Sequence, residues 1–305
     1  MSKLHPPQHI HFVGIGGTGL SAIARILLGK GYRVSGSDRA ANAQTGALAR
    51  DGATIYEGHD PRHVQGADAL IISSAVAPDH VEVIEARARG IPVYKRSDII
   101  ADVMAGQDVI AVAGTHGKTT TTAMITHILQ QAGRDPSYII GGTLRATGQN
   151  AGLGKGSAFV IEADEYDNMF HGLRPNVAIV TNVEWDHPDF FRTPADLVQS
   201  FRKFVSLLPS DGLLIACADD AGAAELARER RDAALPVITY GINHDADWRA
   251  LNVQSRSDGT LEFDLLRRGD RLGAVALLLP GRHNDLNALA ALAAADRQGV
   301  PATEA

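Results

Sequence analysis

Two segments of the chain share one order of features: an apolar run, a glycine-rich turn and then helix-like sequence. The first is "HFVGIGGTGLSAIA" (residues 11–24), and the second is "IAVAGTHGKTTTTAMI" (residues 110–125). A buried strand that turns into a helix N-terminus presents backbone amides, which favour bound phosphate. The sequence therefore predicts two phosphate-binding loops, about a hundred residues apart.

Strand-like and helix-like stretches alternate around both loops, which is the pattern of a mostly parallel α/β sheet. Residues 248–281 differ, because alternating residues and an Asp-Gly turn indicate antiparallel hairpins. A chain of 305 residues exceeds one ordinary compact core, so two domains are expected. We predict a Rossmann-like domain over residues 1–106. A P-loop ATPase-type domain, mostly parallel with a small antiparallel portion, is predicted over 107–305.

The composition excludes several functional classes. Net charge is −6, from 29 basic and 35 acidic residues, so no electrostatic attraction to nucleic acid or an anionic membrane is expected. The single cysteine, Cys217, lies in an apolar run and is predicted to be buried, and one cysteine forms no intramolecular disulfide. No signal peptide or bilayer-spanning run is visible, so we expect a cytoplasmic protein.

The first loop contains a G-x-G-x-x-G motif, formed by Gly14, Gly16 and Gly19, and Asp38 ends the next predicted strand. The glycines allow backbone amides to approach a diphosphate, and the acid can accept hydrogen bonds from a ribose or base. The motif does not decide which diphosphate nucleotide binds. Taken alone it favours a dinucleotide, so an NAD-dependent oxidoreductase is one alternative.

The second loop, Gly114-Thr115-His116-Gly117-Lys118-Thr119, is a shorter variant of a P-loop, with Val112 where the standard motif has glycine. Its amides favour polyphosphate, Lys118 can neutralise a transferring phosphoryl group, and the Thr119 hydroxyl can ligate Mg²⁺.

Two later strands end in clusters of acids and a histidine, which are suitable partners for Mg²⁺-bound ATP. These groups are Glu162, Asp164, Glu165 and Asp167 in "EADEYD", and Glu184, Asp186, His187 and Asp189 in "EWDHPD". Because the carboxyl ends of parallel strands meet at one edge of a sheet, both clusters are expected near the P-loop.

The chain resembles the Mur ligases. The segments that carry the resemblance are "GIGGTGLSAIA", "GTHGKTTTT", "EADEYD", "TNVEWDHPDFF" and "PGRHNDLNALAAL", in the order found in that family. The resemblance implies an ADP-forming ligase of peptidoglycan precursor synthesis, with ATP and Mg²⁺ as cofactors. It would join L-alanine to UDP-N-acetylmuramate through an acyl phosphate, with the UDP sugar in a pocket at the first loop, ATP at the second and both pockets facing one cleft.

The resemblance also implies roles for individual residues. Catalysis would rest on Lys118, Glu162 and His187, and the metal ligands would be Thr119, Glu162 and His187, with Glu165 as the alternative to Glu162. The residues implied for ATP are Gly114, Thr115, His116, Gly117, Lys118, Thr119, Thr120, Asn284 and Asn287. Those implied for the UDP substrate are Gly14, Gly16, Gly17, Thr18, Gly19, Asp38, Ser73, Ser74 and Arg96.

Two departures from the family pattern leave alternatives open. Mur ligases have a third, amino-acid-binding domain after the "NALAA" helix, and this chain ends near where it would begin. We therefore expect a two-domain piece that makes little amide by itself, or a nucleotide-binding protein without catalysis. The segment "EADEYDNMFHGLRP" is closer to the related murein peptide recycling ligase, which uses a tripeptide in place of alanine. The segment "GIGGTGLSAIA" favours the ligase that uses alanine, and this is the interpretation we adopt. The sequence does not indicate an oligomeric state.

Overall fold

The computed structural model describes residues 3–145, 147–279, 281 and 283–305. Pro280 and Arg282, which belong to the family motif "PGRHNDLNALAAL", lie outside the described residues. Contacts divide the chain into two compact units. The first contains the residues up to Gly106 together with Ser137–Gly154, and the second contains Gln107–Pro136 and Lys155–Ala305. Both units are α/β, so the predicted fold class is confirmed.

Strands and helices alternate along most of the chain. In chain order they are β1 (His9–Val13), α1 (Thr18–Gly29), β2 (Arg33–Asp38), α2 (Ala43–Arg50), β3 (Thr54–Glu57), β4 (Ala69–Ile72), α3 (Val81–Ala88), β5 (Val93–Lys95), α4 (Arg96–Val103), β6 (Asp108–Ala113), α5 (Lys118–Gln131), β7 (Ser137–Leu144), β8 (Gln149–Gly152), β9 (Ala158–Glu162), β10 (Val177–Val180), α6 (Pro194–Val205), β11 (Leu213–Cys217), α7 (Ala221–Asp232), β12 (Val237–Gly241), β13 (Trp248–Ser255), β14 (Leu261–Arg267), β15 (Asp270–Leu277) and α8 (His283–Arg297). Short 3₁₀ helices cover Pro61–Val64 and Tyr166–Gly172.

The first unit contains a parallel sheet with the strand order β3-β2-β1-β4-β5, the order of a Rossmann-like sheet. Strand β1 is central and its apolar residues are buried, because neighbouring strands and helices cover both of its faces. Helix α1 follows β1 directly and buries Leu20, Ile23, Ala24 and Leu27, which recur at helical spacing. The first glycine-rich turn therefore lies at the carboxyl end of the central strand.

In the second unit the strands follow in the order β15-β14-β13-β12-β11-β10-β6-β9. Strand β6 is parallel to both of its neighbours, β9 and β10, and the pairs β13–β14 and β14–β15 are antiparallel, as the sequence predicts. Val112 of β6 pairs with Glu162 of β9, and Ala113 pairs with Val180 of β10. The loop after β6 and the ends of β9 and β10 consequently lie at one edge of the sheet.

In the part of the chain that the structure describes, no helix is both long and apolar enough to cross a membrane. The predicted burial of Cys217 is confirmed, and burial raises the pKa of its thiol to about 11. The thiol is therefore protonated at neutral pH and is a poor nucleophile.

Candidate functional site

In the first unit, the glycine-rich turn is held against the end of β2 by its own amides. Gly14 N and Ile15 N both donate to the carbonyl oxygen of Ser37, at 2.8 and 3.1 Å. Gly16 N donates to Asp38 Oδ2 at 2.7 Å. The Asp38 carboxylate thus holds the turn in place, and its predicted contact with a ribose or base stays a prediction.

Close packing shows why glycine is needed at Gly16. A Cβ added there would lie 2.8 Å from Asp38 Oδ2 and 2.4 Å from Asn42 Nδ2, closer than real Cβ contacts come. A Cβ added at Gly19 would lie 2.3 Å from Arg96 Nη1, so the Arg96 guanidinium lies against the start of α1. The structure therefore brings Gly16, Gly19, Asp38 and Arg96 together.

The remaining residues predicted for the UDP substrate lie around the same turn. Gly17 is the N-cap of α1, and Thr18 begins the helix. Ser73 Oγ is 3.8 Å from the position of a Cβ on Gly14, and Ser74 is exposed in the turn that follows β4. All of these groups lie at the carboxyl edge of the first sheet, and their contacts with a substrate stay a prediction.

Sequence reasoning missed Asn42. Its Nδ2 donates to the Gly16 carbonyl at 3.2 Å, and its Oδ1 accepts from Thr45 N at 3.0 Å, which caps α2. The capping pattern Asn-Ala-Gln-Thr, four residues after Asp38, is the local signal that identifies the helix start. The contact with Gly16 joins residues 26 positions apart, and no local pattern predicts it.

In the second unit, residues that follow β10 hold the P-loop in shape. Thr181 Oγ1 donates to His116 O at 2.6 Å, and His116 N donates to Asn182 Oδ1 at 2.8 Å. Thr115 Oγ1 donates to Glu184 O at 2.7 Å. Sequence reasoning did not single out Thr181 and Asn182, whose role depends on β10 lying next to β6.

The Lys118 side chain folds back into the loop. Its ammonium donates to Gly114 O at 2.5 Å, to Thr115 O at 3.1 Å and to Glu165 Oε1 at 2.9 Å. Three acceptors therefore match the three protons of the ammonium. The ion pair and these hydrogen bonds hold the Lys118 ammonium against the loop between β6 and α5.

Glu165 is the buried partner of this lysine, with 1% of its side chain exposed. Burial raises the pKa of the Glu165 carboxyl, and the Lys118 charge opposes that rise. Its second oxygen, Oε2, is buried and has no hydrogen-bond partner among the described residues. A buried carboxylate oxygen without a hydrogen-bond partner can bind a cation or accept a proton.

His187 lies near the same carboxylate, with Nε2 3.8 Å from Glu165 Oε1. Its φ is +53°, in the left-handed region that non-glycine residues rarely adopt. The Tyr166 ring packs edge-on against the imidazole at 5.0 Å, and the Tyr166 hydroxyl donates to Asp189 Oδ2 at 3.0 Å. The backbone strain and these contacts together fix the orientation of His187.

The structure thus brings Lys118, Glu165 and His187 together. The sequence predicted two clusters of acids and histidine near the P-loop, and Glu165 and His187 come one from each. Glu162 ends β9 beside Val112, half-buried at the same edge of the sheet. The choice between Glu162 and Glu165 as a metal ligand stays a prediction. Thr119 and Thr120 lie in the first turn of α5, and Thr119 is exposed.

Helix α8 brings both predicted asparagines to the base of the P-loop. Thr121 Oγ1 donates to Asn287 Oδ1 at 3.1 Å, and Asn287 Nδ2 donates to Asn284 Oδ1 at 3.1 Å. Gly117 has φ +83°, and a Cβ added there would lie 2.5 Å from Asn287 Oδ1. Asn287 therefore packs against the loop, and Asn284 is hydrogen-bonded to Asn287.

Similarity to known proteins covers nearly the whole chain. Residues 9–108 match the family model described as "Mur ligase family, catalytic domain", and residues 112–295 match "Mur ligase middle domain". The UDP-N-acetylmuramate–L-alanine ligase of Renibacterium salmoninarum is 45% identical over 303 residues, which are 99% of this chain and 64% of that protein. The chain thus spans less than two thirds of the length of that curated relative.

Two solved structures are similar throughout. UDP-N-acetylmuramate:L-alanyl-γ-D-glutamyl-meso-diaminopimelate ligase (MPL) from Neisseria meningitides is 32% identical with a TM-score of 0.86, covering 97% of this chain and 95% of that one. UDP-N-acetylmuramate-alanine ligase MurC from Thermotoga maritima is 30% identical with a TM-score of 0.82, covering 96% and 65%. Because family models match residues 9–108 and 112–295, which lie mainly in the first and in the second unit, the chain belongs to the Mur ligase family.

Proposed function

We propose that this chain serves the ATP-dependent ligation of L-alanine to UDP-N-acetylmuramate, a step of peptidoglycan precursor synthesis. The observation that carries the proposal is the Lys118 ammonium, held inside a formed P-loop beside Glu165 and His187. Such a site suits phosphoryl transfer, and the similarity to alanine ligases suggests the acceptor. Both nucleotide substrates make the proposed reaction a cytoplasmic one.

The chemistry begins from a carboxylate, which is a poor electrophile because its charge repels an amine. In the proposed first step, a carboxylate oxygen of the lactyl group attacks the γ-phosphorus of ATP, which gives an acyl phosphate and ADP. The alanine nitrogen then attacks the acyl carbon, loses a proton and expels inorganic phosphate. Lys118 and the loop amides neutralise the negative charge of the phosphoryl group, so positioning and electrostatics supply the catalysis.

Glu165 gives Lys118 a defined orientation before nucleotide binds. The same carboxylate competes with phosphate for the ammonium, so ATP must share or replace the 2.9 Å hydrogen bond. Asn284 and Asn287, on α8 beside the loop, are proposed to contact the adenine. In the first unit, the amide-lined turn at Gly14–Gly19 with Asp38 and Arg96 is proposed to hold the UDP moiety.

A magnesium ion fits this donor set when ATP accompanies it. Among the described residues, no group of three or more His, Cys, Asp or Glu side chains is assembled to hold a metal alone. Mg²⁺ commonly takes one or two carboxylates, with substrate phosphate oxygens, other protein groups and water completing six ligands. The exposed Thr119 hydroxyl, Glu162 or the buried Oε2 of Glu165, and His187 are the proposed protein groups. When bound, the ion would neutralise phosphate charge.

The murein peptide ligase reaction is a second candidate. The Neisseria MPL structure has a TM-score of 0.86 and the Thermotoga MurC structure 0.82, so the fold accommodates both reactions. The two reactions share UDP-N-acetylmuramate-type chemistry at the carboxylate and differ in the amine, alanine or a tripeptide. An NAD-dependent oxidoreductase has no comparable support, because it leaves the P-loop without a role.

Direct binding tests the proposal without requiring turnover. Isothermal titration of the 305-residue chain with UDP-N-acetylmuramate and with Mg·ATP should give one site for each. Lys118→Met should weaken Mg·ATP binding and leave UDP-sugar binding unchanged, whereas the exposed Lys155→Met should alter neither. Binding of NADH with no binding of UDP-N-acetylmuramate would overturn the proposal. With a catalytically competent preparation, phosphate release that requires the tripeptide instead of alanine would select the second candidate.

A further inference from the structure

A buried carboxylate in the first unit lies at the centre of a polar cluster that the proposed reaction does not use. Glu82, in the first turn of α3, is fully buried. It accepts hydrogen bonds from Ser37 Oγ at 2.7 Å, Asp60 N at 3.2 Å, His63 Nδ1 at 3.1 Å and His11 Nε2 at 3.2 Å. His59 Nδ1 lies 3.5 Å away and also contacts Ser37 Oγ at 3.0 Å. We call these six residues the Glu82 cluster.

The carboxylate is ionised at neutral pH. Burial alone would raise the pKa of Glu82, but hydrogen bonds from His11, Ser37 and His63 outweigh that effect and hold the pKa at about 2. Burial lowers the pKa of His11, so its imidazole donates one N–H to Glu82 as a neutral ring. Because Ser37 gives its hydroxyl proton to Glu82, His59 must donate Nδ1–H to the Ser37 oxygen.

Ser37 connects this cluster to the first glycine-rich turn. It lies at the carboxyl end of β2, where its side chain donates to Glu82 and its carbonyl accepts from Gly14 N and Ile15 N. Asp38, the next residue, accepts from Gly16 N. Three successive amides of the turn therefore donate to two residues at the end of β2. The first of these, Ser37, is also hydrogen-bonded to Glu82.

We propose that Glu82 is a positioning residue for the first loop: through Ser37 it sets the direction in which the amides around Gly14–Gly16 present themselves to a diphosphate. This inference deepens the proposed function and rests on it for the identity of the ligand. A buried ionic cluster supplies little net stability compared with apolar side chains of equal volume. Its effect is instead to hold the side chains in one arrangement, since four donors from β1, β2 and the segment after β3 converge on the two Glu82 oxygens.

Two substitutions test the link, with one matched control. Ser37→Ala removes only the hydroxyl, and Glu82→Gln removes the charge at nearly constant shape. The control is Glu85→Gln on the same helix, since the Glu85 carboxylate pairs with Arg89 at the surface. Amide hydrogen exchange is measured without ligand. In Ser37→Ala and in Glu82→Gln the amides of residues 14–16 should exchange about five- to tenfold faster, which is the effect expected from the loss of one hydrogen bond. Affinity for UDP-N-acetylmuramate should fall by a similar factor, with Mg·ATP affinity unchanged.

The outcomes separate positioning from packing. A role in packing alone would lower the melting temperature and leave the exchange of residues 14–16 and the affinity of the folded protein unchanged, which would overturn the inference. In the double variant the two losses should not add, because both act through one hydrogen bond. If Glu82→Gln does not fold, Ser37→Ala decides the matter. Failure of the unsubstituted chain to bind the UDP sugar would count against the proposed function, and the exchange measurement would still decide this inference.

Discussion

Lys118 Nζ donates a 2.9 Å hydrogen bond to Glu165 Oε1, joining the P-loop to the segment after β9. Both side chains are largely shielded, with 14% of the lysine and 1% of the glutamate exposed. A shielded pair is worth less than its Coulomb attraction, because both ions lose hydration, yet removing one partner leaves a buried charge without compensation. The pair therefore links the stability of the second unit to its phosphate chemistry.

Replacing Lys118 with methionine should have two separable effects. Mg·ATP affinity should be lost, and the free energy of unfolding of the second unit should fall by about 3–5 kcal/mol, because Glu165 is left unpaired. Adding Glu165→Gln to Lys118→Met should restore most of the stability and none of the ATP binding. Fluorescence of Trp185 and Trp248, both in the second unit, reports its unfolding, and calorimetry reports binding. A double variant as unstable as the single one would refute this account of the pair.

Gly117 and Gly133 form a matched pair for testing the shape of the P-loop. Both have left-handed φ, +83° and +70°, but a Cβ would meet Asn287 only at Gly117, and nothing lies within 4 Å at Gly133. Either change to alanine should cost about 1–2 kcal/mol of unfolding free energy from backbone strain. Gly117→Ala should in addition displace Asn287 and weaken Mg·ATP binding about tenfold or more.

Denaturant unfolding and ATP titration of both variants check this expectation. The informative result is the difference between them, since backbone strain is common to the two sites. Equal ATP affinities for Gly117→Ala and Gly133→Ala would show that the contact between Gly117 and Asn287 does not shape the nucleotide site.

Local sequence signals predicted the elements that carry long, regular patterns. The buried strand–turn–helix segments at β1–α1 and β6–α5 and the antiparallel strands β13–β15 follow from periodicity and turn residues alone. The short strand β3 and the β7–β8 hairpin were not identified. A four-residue segment such as Thr54–Glu57 is too short to show a clear alternation of apolar and polar residues. Around the hairpin, Gly141, Gly142 and Gly148 lower the β-propensity of the sequence.

The candidate site was predictable where chemistry lies within a motif and not where it depends on strand order. Lys118, Gly117 and Asp38 follow from spacing in the sequence. Asn182, 66 residues from His116, reaches the loop only because β10 lies beside β6. Glu82 was missed for the same reason, since its partners come from β1, β2 and the loop after β3. Such contacts are tertiary, and no short pattern encodes them.

Acid should weaken the first unit through the Glu82 carboxylate. The Glu82 pKa is about 2 in the folded protein against an ordinary 4.5, so the unfolded state binds the proton more tightly. The resulting stabilisation, up to about 3 kcal/mol, is fully present above pH 4.5 and is lost as the pH falls from 4.5 towards 2. Glu82→Gln should remove that pH dependence and Glu85→Gln should retain it. Hydrogen exchange of β1 and β2 amides between pH 3 and 6, corrected for intrinsic rates, measures it.

Hydrogen bonds in the first unit also determine the tautomer of a buried histidine. His11 Nδ1 lies 2.7 Å from Ser35 Oγ, and His11 Nε2 lies 3.2 Å from Glu82 Oε2. An ionised carboxylate only accepts, so Nε2 of His11 must carry a proton. Because burial lowers the pKa of His11, the ring is neutral, and its Nδ1 accepts from the Ser35 hydroxyl.

Long-range ¹H–¹⁵N correlation spectra should therefore show His11 carrying its proton on Nε2 alone. In Ser35→Ala the hydrogen bond to Nδ1 is lost and the bond to Glu82 remains, so the Nε2 tautomer should be retained while the Nδ1 resonance shifts. His5, in the same unit and outside these hydrogen bonds, is the reference ring. A proton on Nδ1 of His11 in the unsubstituted protein would contradict the assignment.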